Sequence, residues 1–127
     1  MCIRDRDAEH SRAVLVTGCS SGIGRATAER LAERGWTVYA TARRPESIAE
    51  LEEKGCRLLQ LDVTDETSMR AAVAQIESEH GAVGVLINNA GYSQSGAVES
   101  VPDERVRAQF DTNVFGLLGM CLSLIHI

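Results

Sequence analysis

A glycine-rich segment near the amino end constrains the fold more than any other feature of this chain. The sequence TGCSSGIG occupies residues 17–24. It begins at the last residue of the continuous apolar run AVLVT (13–17) and is followed by a segment with helical spacing. A continuous apolar run predicts a strand that is covered on both faces of a parallel sheet. Glycines after such a strand permit a tight turn and a close approach of the backbone to a ligand, and the first N–H groups of the following helix bind anions. The segment therefore predicts a strand, an anion-binding turn and a helix in succession.

The rest of the chain alternates short apolar runs with longer helical segments, which is the pattern of a parallel sheet with crossover helices. Further strands are predicted at 36–41, 57–61 and 83–87, and helices at 22–34, 45–54, 65–80 and from residue 102 onward. Gly35, Gly55 and Gly81 end the first three helices, and Thr64 or Asp65 caps the third. The predicted fold is an α/β, doubly wound parallel sheet that is truncated after the fourth strand and its following helix. Its ligand crevice lies at the carboxyl ends of the strands beside the first.

The closing run 114–127 is apolar nearly throughout, but it is shorter than the roughly 20 residues that a membrane-spanning helix needs. We expect it to be a buried helix.

Composition limits the classes of partner. The chain has 127 residues, of which 44% are hydrophobic, enough for the core of one domain. A formal net charge of -5 argues against nucleic acid or an anionic membrane as partner, since either needs a basic surface, and favours a small molecule. The four cysteines show no CxxC pair and no His at metal-ligand spacing, so no metal site or disulfide framework is predicted. A reducing cytoplasm is the expected location, and the alternating charges at the start exclude a secretory signal.

The two ends of the chain mirror each other at the nucleotide level. A DNA string that encodes residues 1–5 gives, as its reverse complement, codons for residues 122–126. The string resembles a transposon end used in sequencing-library preparation. We therefore expect residues 1–6 and 122–127 to be non-native and the incomplete nucleotide-binding domain to span 7–121; coincidence is the alternative.

The residues that follow the second predicted strand bear on which nucleotide binds. An acid at this position would accept hydrogen bonds from a ribose 2′-hydroxyl, whereas a guanidinium can pair with a 2′-phosphate. Arg43 and Arg44 stand there and no acid does. Arg43, with Arg44 as a second candidate, therefore favours NADP(H); the alternative is that both are solvated surface arginines. A P-loop is excluded because no lysine follows the glycines.

Taken in order, these motifs resemble those of the short-chain dehydrogenase/reductase family, in the branch written TGxxxGxG. Three more motifs match: LDV with Asp62, NNAG at 88–91, and DTNV with Asn113. The resemblance covers residues 13–121 and implies a Rossmann-type fold. It implies that Asp62 contacts the adenine ring, that Asn88 lies along the cofactor ribose, and that Asn89 holds the central strands together. Asn113 is implied to be a catalytic residue that supports a water in the proton relay.

The cofactor-binding residues predicted from the turn chemistry and the resemblance together are Gly18, Ser20, Ser21, Gly22, Ile23, Gly24, Arg43, Asp62, Val63, Asn88, Ala90 and Gly91. Trp36, at the start of the second predicted strand, is expected near the adenosine side.

The family's proton chemistry uses a Ser and a Tyr followed four residues later by a Lys, and this sequence has no such pair. The single lysine is Lys54, with Glu50 four residues before it, and Tyr92 is followed by Gly96. We therefore expect an inactive amino-terminal part of an NADP(H)-preferring oxidoreductase that interconverts a carbonyl and an alcohol. The complete protein is expected to be a homo-oligomer. A non-catalytic dinucleotide-binding sensor or regulator is the alternative.

Overall fold

The computed structural model describes residues 10–125. The predicted foreign segment 1–6 and the last two residues of the segment 122–127 lie outside that range. The strands are β1 (Ala13–Val16), β2 (Thr37–Ala42), β3 (Arg57–Gln60) and β4 (Val85–Ile87). The helices are α1 (Gly22–Glu33), α2 (Glu50–Glu53), α3 (Glu66–His80), α4 (Asp103–Phe110) and α5 (Leu117–Leu124). Short 3₁₀ turns at Pro45–Ile48 and Val98–Ser100 precede α2 and α4, and a π-helical segment, Asp111–Gly116, joins α4 to α5.

The described strands form one sheet in the order β3-β2-β1-β4, and every pair is parallel. The chain builds outward from β1 to β3 and then returns to place β4 on the other side of β1. The strand order therefore reverses beside β1, which is where a doubly wound sheet opens a crevice at the carboxyl ends of its strands. The predicted α/β fold is confirmed.

Alternation along β1 divides the core into two layers, because successive side chains of a strand point to opposite faces. Val14 and Val16 pack in a cluster with residues of α1, β2 and α2, such as Ala28, Val38 and Leu51. The opposite layer packs Leu15 with residues of β2, α3 and α5, including Tyr39, Met69, Ile76 and Met120. All four residues of β1 are buried, as the unbroken apolar run predicted.

Several predicted boundaries were wrong. The strands predicted at 36–41 and 83–87 begin at Thr37 and Val85. Before β4, the Gly84 N–H donates to the Ala13 carbonyl at 3.0 Å, and a side chain at Gly84 would overlap the Ser11 carbonyl, so residues 82–84 run close beside the residues that lead into β1. The helix predicted at 45–54 is a 3₁₀ turn followed by one α-turn. Ser47 explains the break, because both its backbone N–H and its hydroxyl donate to the Arg44 carbonyl at 3.0 and 2.7 Å and close a tighter turn.

The prediction that the closing apolar run forms a buried helix was wrong about burial. Gly116 and Met120 are buried, but Phe115 and Leu122 are 62% and 66% exposed. The sequence is apolar all round this helix, whereas within the described chain it is covered on one side only, by α3 and by residues that follow β3 and β4. The last helix therefore presents an apolar surface to solvent. Of the helices within residues 10–125, none combines the length and apolar character needed to cross a membrane.

Candidate functional site

A cleft of about 570 Å³ opens where the carboxyl ends of the strands meet. It brings together residues that follow each of the four strands. Predicted cofactor residues that line it are Gly18, Ser20, Ser21, Gly22, Ile23, Arg43, Asp62, Val63, Ala90 and Gly91. Its wall also includes Asn89, Tyr92 and Thr112, which were not among the predicted cofactor residues.

The glycine turn forms one wall and has the geometry of an anion cradle. Gly18 and Gly22 have φ values of +69° and +61°, a region that favours glycine, and no atom lies within 4 Å of a side chain built at Gly22. Helix α1 begins at Gly22, its cap Ser21 makes no side-chain capping bond, and its first turn has no acidic residue. The N–H groups and positive end of the helix dipole therefore face the cleft, and the first turn of α1 supplies no competing anion.

Gly24 serves close packing instead of lining the cleft. A side chain at this position would overlap the Asn89 carboxamide and lie 2.5 Å from the Gly18 carbonyl oxygen. The Asn89 Nδ2 donates to the carbonyls of Thr17 and Gly18 at 3.1 and 2.9 Å. Only a glycine lets α1 approach these bonds, so Gly24 permits the glycine turn and the loop after β4 to be joined.

Thr17 holds the same two walls together and was missed as a site residue from sequence. Its hydroxyl accepts the backbone N–H groups of Asn89 and Ala90 at 3.0 and 2.9 Å, and the residue is 1% exposed. The available signal was a hydroxyl side chain at the end of an otherwise apolar buried strand, since a buried hydroxyl needs hydrogen-bond partners.

The loop after β3 forms the opposite wall. Asp62 Oδ1 accepts the Thr64 backbone N–H at 2.9 Å and its hydroxyl at 2.7 Å. The Thr64 hydroxyl is the largest cause that lowers the pKa of Asp62 below its ordinary value, and the nearby charge of Arg43 contributes further. Within the described residues, no hydrogen bond reaches Asp62 Oδ2 or the backbone N–H of Val63, so both groups are available at the cleft.

Besides Gly24, two predicted positions lie away from the cleft. The Asn88 side chain donates to Cys121 Sγ at 3.4 Å and so turns toward α5, not into the cleft where the ribose was expected. Trp36 stacks against the Arg12 guanidinium at 4.5 Å and precedes β2, at the end of the sheet opposite the cleft. The expectation that Trp36 lies near the adenosine side was wrong, because parallel strands carry the cleft at their carboxyl ends.

Asn113 ties the π-helical segment to the cleft wall. Its Oδ1 accepts the Tyr92 N–H at 3.0 Å, and its Nδ2 donates to the Tyr92 carbonyl at 2.7 Å. A side chain at Gly91 would lie 3.1 Å from the same Oδ1, a tight contact that glycine avoids. Both polar atoms of the carboxamide thus bond to backbone, and a part for Asn113 in a proton relay stays a prediction.

Two other candidates for proton chemistry, Lys54 and Tyr39, make their contacts away from the cleft. Lys54 Nζ pairs with Glu29 Oε1 at 3.1 Å. Tyr39 is 1% exposed, and its hydroxyl donates to Glu79 Oε2 at 2.6 Å. Tyr92 is the one tyrosine of the described chain that lines the cleft.

Comparisons with known proteins agree with this geometry. The family model described as short chain dehydrogenase matches residues 12–127. The chain is 46% identical over 113 residues to 3-ketodihydrosphingosine reductase of Bacteroides thetaiotaomicron, and the aligned residues cover 88% of this chain and 40% of that protein. It is 38% identical over 120 residues to an NADPH-dependent 1-acyldihydroxyacetone phosphate reductase of Schizosaccharomyces pombe, covering 93% of this chain and 40% of the relative.

A solved structure gives the same result. A short-chain dehydrogenase from Streptomyces avermitilis superposes with a TM-score of 0.85 at 38% identity, over 92% of this chain and 44% of the other. The chain thus spans about 40% of the length of the curated relatives described above. The cleft, the order of its motifs and the extent of these matches lead to one conclusion: the chain belongs to the short-chain dehydrogenase family of nicotinamide-dependent oxidoreductases.

Proposed function

We propose that the chain is the cofactor-binding part of an oxidoreductase that prefers NADP(H) and interconverts a carbonyl and an alcohol. The observation that supports the proposal is the meeting, in one cleft, of a helix N-terminus that has no side-chain cap with the exposed Arg43 and the carboxylate of Asp62. A bound nicotinamide would supply the hydride chemistry. The residues described here would bind the coenzyme, orient it and hold its two halves apart.

The glycine turn suits the pyrophosphate. Backbone N–H groups at the start of α1 would donate to its oxygens, and the open side of Gly22 leaves room for it. The hydroxyls of Ser20 and Ser21 are exposed at the same wall and can add donors. Ile23, 79% exposed in the first turn, would gain burial against the coenzyme.

Arg43 would select the phosphorylated coenzyme. It is exposed at the cleft, directly after β2, and a guanidinium can pair bidentately with a 2′-phosphate. The charge of Arg43 contributes to lowering the pKa of Asp62, whose Oδ1 already accepts two bonds from Thr64. The name of the Schizosaccharomyces pombe relative, NADPH-dependent, is in keeping with this assignment.

The free Asp62 Oδ2 and Val63 N–H would recognise the adenine base, because an acceptor beside a donor complements the exocyclic amino group and ring nitrogen of adenine. Ala90 and Gly91 would follow the coenzyme ribose on the β4 side through their backbone, with Asn88 behind them. We further propose that Asn113 acts on the proton relay by fixing Tyr92 and the cleft wall.

The test is a calorimetric titration of NADPH and NADH in parallel, since Trp36 lies too far from the cleft to report binding. The chain should bind NADPH at least about tenfold more tightly, because charge-assisted bonds contribute roughly 1.5–3 kcal/mol. Arg43→Ala should bring the two affinities together, and the matched control Arg44→Ala should keep them apart.

Three outcomes separate the parts of the proposal. Equal affinities of the unmodified chain for NADPH and NADH would overturn the preference for NADP(H) and leave dinucleotide binding. Loss of preference in Arg44→Ala instead would move the assignment to Arg44. No binding by a chain whose circular dichroism and unfolding transition show that it is folded would overturn the cofactor site itself.

A non-catalytic sensor is the second candidate, because the single lysine is paired with Glu29, and Tyr39 is buried in the core. The whole protein decides between the two. Oxidation of NADPH in the presence of a carbonyl panel would support the enzyme, and tight binding without turnover would support the sensor.

We also propose a small carbonyl or alcohol as partner, a cytoplasmic location and a homo-oligomeric whole protein. Cys19, Cys56 and Cys121 are free thiols, in keeping with a reducing compartment. A groove of about 480 Å³ lies along α4 beside the exposed Phe110 and Phe115, a surface of the kind that self-association covers.

A further inference from the structure

Ser68, in the first turn of α3, reaches out of its helix into the loop that forms the adenine side of the cleft. Its hydroxyl accepts the backbone N–H of Asp62 at 2.9 Å and donates to Gln60 Oε1 at 3.1 Å. The residue is 7% exposed, one of few buried polar residues in the described chain. A buried hydroxyl with both a donor and an acceptor partner has a fixed orientation.

The bond from Ser68 is not a helix cap. Asp65 caps α3, accepting the N–H groups of Thr67 and Ser68 at 3.0 and 3.4 Å. A serine at this third position could reach back to the N–H of the cap residue, but the Asp65 N–H instead donates to the Asp62 carbonyl at 3.1 Å. The hydroxyl of Ser68, the third residue of the helix, therefore holds the loop that precedes it.

These contacts leave Asp62 little freedom. Its N–H is held by Ser68, its carbonyl by Asp65 and its Oδ1 by Thr64. The remaining polar atom, Oδ2, has no hydrogen-bond partner within the described residues. Fixing three of the four polar groups of one residue sets the direction in which the fourth points, which is the arrangement of a preorganised recognition group.

We infer that Ser68 is a positioning residue for base recognition: it holds the Asp62 loop so that the free carboxylate oxygen reads the exocyclic amino group of the adenine. The inference rests on the proposed dinucleotide function and adds the residue that gives the site its selectivity for the base. Gln60 assists, because it takes the single hydroxyl hydrogen of Ser68 and so leaves a lone pair for the Asp62 N–H.

The test compares NADPH with its hypoxanthine counterpart, in which a keto oxygen replaces the amino group and cannot donate to a carboxylate. The unmodified chain should bind NADPH more tightly. In Ser68→Ala, the ratio of the affinity for NADPH to that for its counterpart should fall by about three- to tenfold, the effect of one hydrogen bond. Only the affinity for NADPH should decrease. Ser78→Ala is the matched control: the same change on the same helix, at an exposed serine whose hydroxyl donates to Gln75.

A ratio of affinities separates positioning from general loosening, because a merely structural defect weakens both coenzymes equally. If Ser68→Ala leaves the ratio of the two affinities unchanged, whether both affinities fall by the same factor or neither falls, the inference is overturned. Should Ser68→Ala lose its cooperative unfolding transition, Gln60→Ala at the exposed end of β3 gives the same readout and should narrow the preference in the same direction. An unmodified chain that binds both coenzymes equally overturns the inference alone, and one that binds neither overturns the proposed function with it.

Discussion

The carboxamide of Asn113 makes two hydrogen bonds with the backbone of one residue, Tyr92: its oxygen accepts the N–H and its nitrogen donates to the carbonyl. At neutral pH, a carboxamide offers an acceptor and a donor side by side, whereas an ionised carboxylate only accepts. The pair joins the π-helical segment Asp111–Gly116 to the loop after β4. Since π-helical turns are strained and often occur at functional sites, this side-chain clamp is a reason for the segment to persist.

Asn113→Asp should therefore destabilise the chain by about 1–3 kcal/mol at neutral pH, because one carboxylate oxygen would face the Tyr92 carbonyl. Protonation restores a donor, so the pKa of the new carboxyl should be raised in the folded state. The destabilisation relative to the unmodified chain should then shrink as the pH falls through that raised pKa. Urea unfolding of both chains at neutral and mildly acidic pH measures this, and a difference that is constant with pH would contradict the clamp.

Replacement by alanine and by asparagine should give opposite orders of stability at Gly22 and at Gly24. Gly22 needs a left-handed φ but has open space, so alanine should cost about 1–2 kcal/mol and asparagine, which tolerates this conformation, less. Gly24 has an ordinary φ but no space, so asparagine should be worse than alanine, whose overpacking costs about 1–3 kcal/mol. Denaturant midpoints of the four variants test the two orders; the same order at both sites would refute the distinction.

Acid should weaken a cluster at the end of the sheet away from the cleft. The Tyr39 hydroxyl is the largest cause that lowers the pKa of Glu79 below its ordinary 4.5, and Arg57 contributes further. A carboxyl with a depressed folded pKa stabilises the fold above 4.5 and loses this contribution as the pH falls through the folded value. The melting temperature of Tyr39→Phe should thus lie below that of the unmodified chain at neutral pH, with the gap narrowing in acid. The Nε2 of His80 lies 2.8 Å from the same hydroxyl. Repeating the series in His80→Gln therefore separates the contribution of His80 from that of Glu79.

Cys19 lies inside the glycine motif but should be chemically inert in the folded chain. Burial raises the pKa of its thiol to about 11, and the thiol donates to the Val16 carbonyl at 3.3 Å. Because the thiolate is the reactive form, alkylation near neutral pH should spare Cys19 and should modify the less buried Cys121 before it. Peptide mapping by mass spectrometry assigns the sites, and denaturant should expose Cys19. Early modification of Cys19 in the native chain would show that the turn opens readily.

Patterns that depend on chain period and turn chemistry could be predicted from the sequence. The sequence predicted correctly that the cleft lies at the carboxyl ends of the strands. This prediction depended on the unbroken apolar run at β1, the glycines that end helices and the motifs at strand ends. What could not be predicted depends on partners distant in sequence. The direction of the Asn88 side chain is set by Cys121, and the break at 45–54 depends on which group Ser47 bonds.

Exposure of the last helix was missed for a different reason. Its residues are apolar on every side, so the sequence has no periodicity to distinguish the face on α3 from the face on solvent. Thr17 and Ser68 were missed because a hydroxyl carries no direction in a sequence, and only the fold shows that both bind backbone groups of the cleft loops.

The position of β1 between β2 and β4 also orders events during synthesis. The first strand made pairs with β2 early, but its other neighbour is Val85–Ile87, and the hydroxyl of Thr17 meets its partners only when Asn89 and Ala90 have left the ribosome. Contacts between such distant residues form slowly because a long loop must close first. Competence to hold a coenzyme is therefore acquired late, and a nascent chain that carries the complete glycine motif still has only one wall of its binding site.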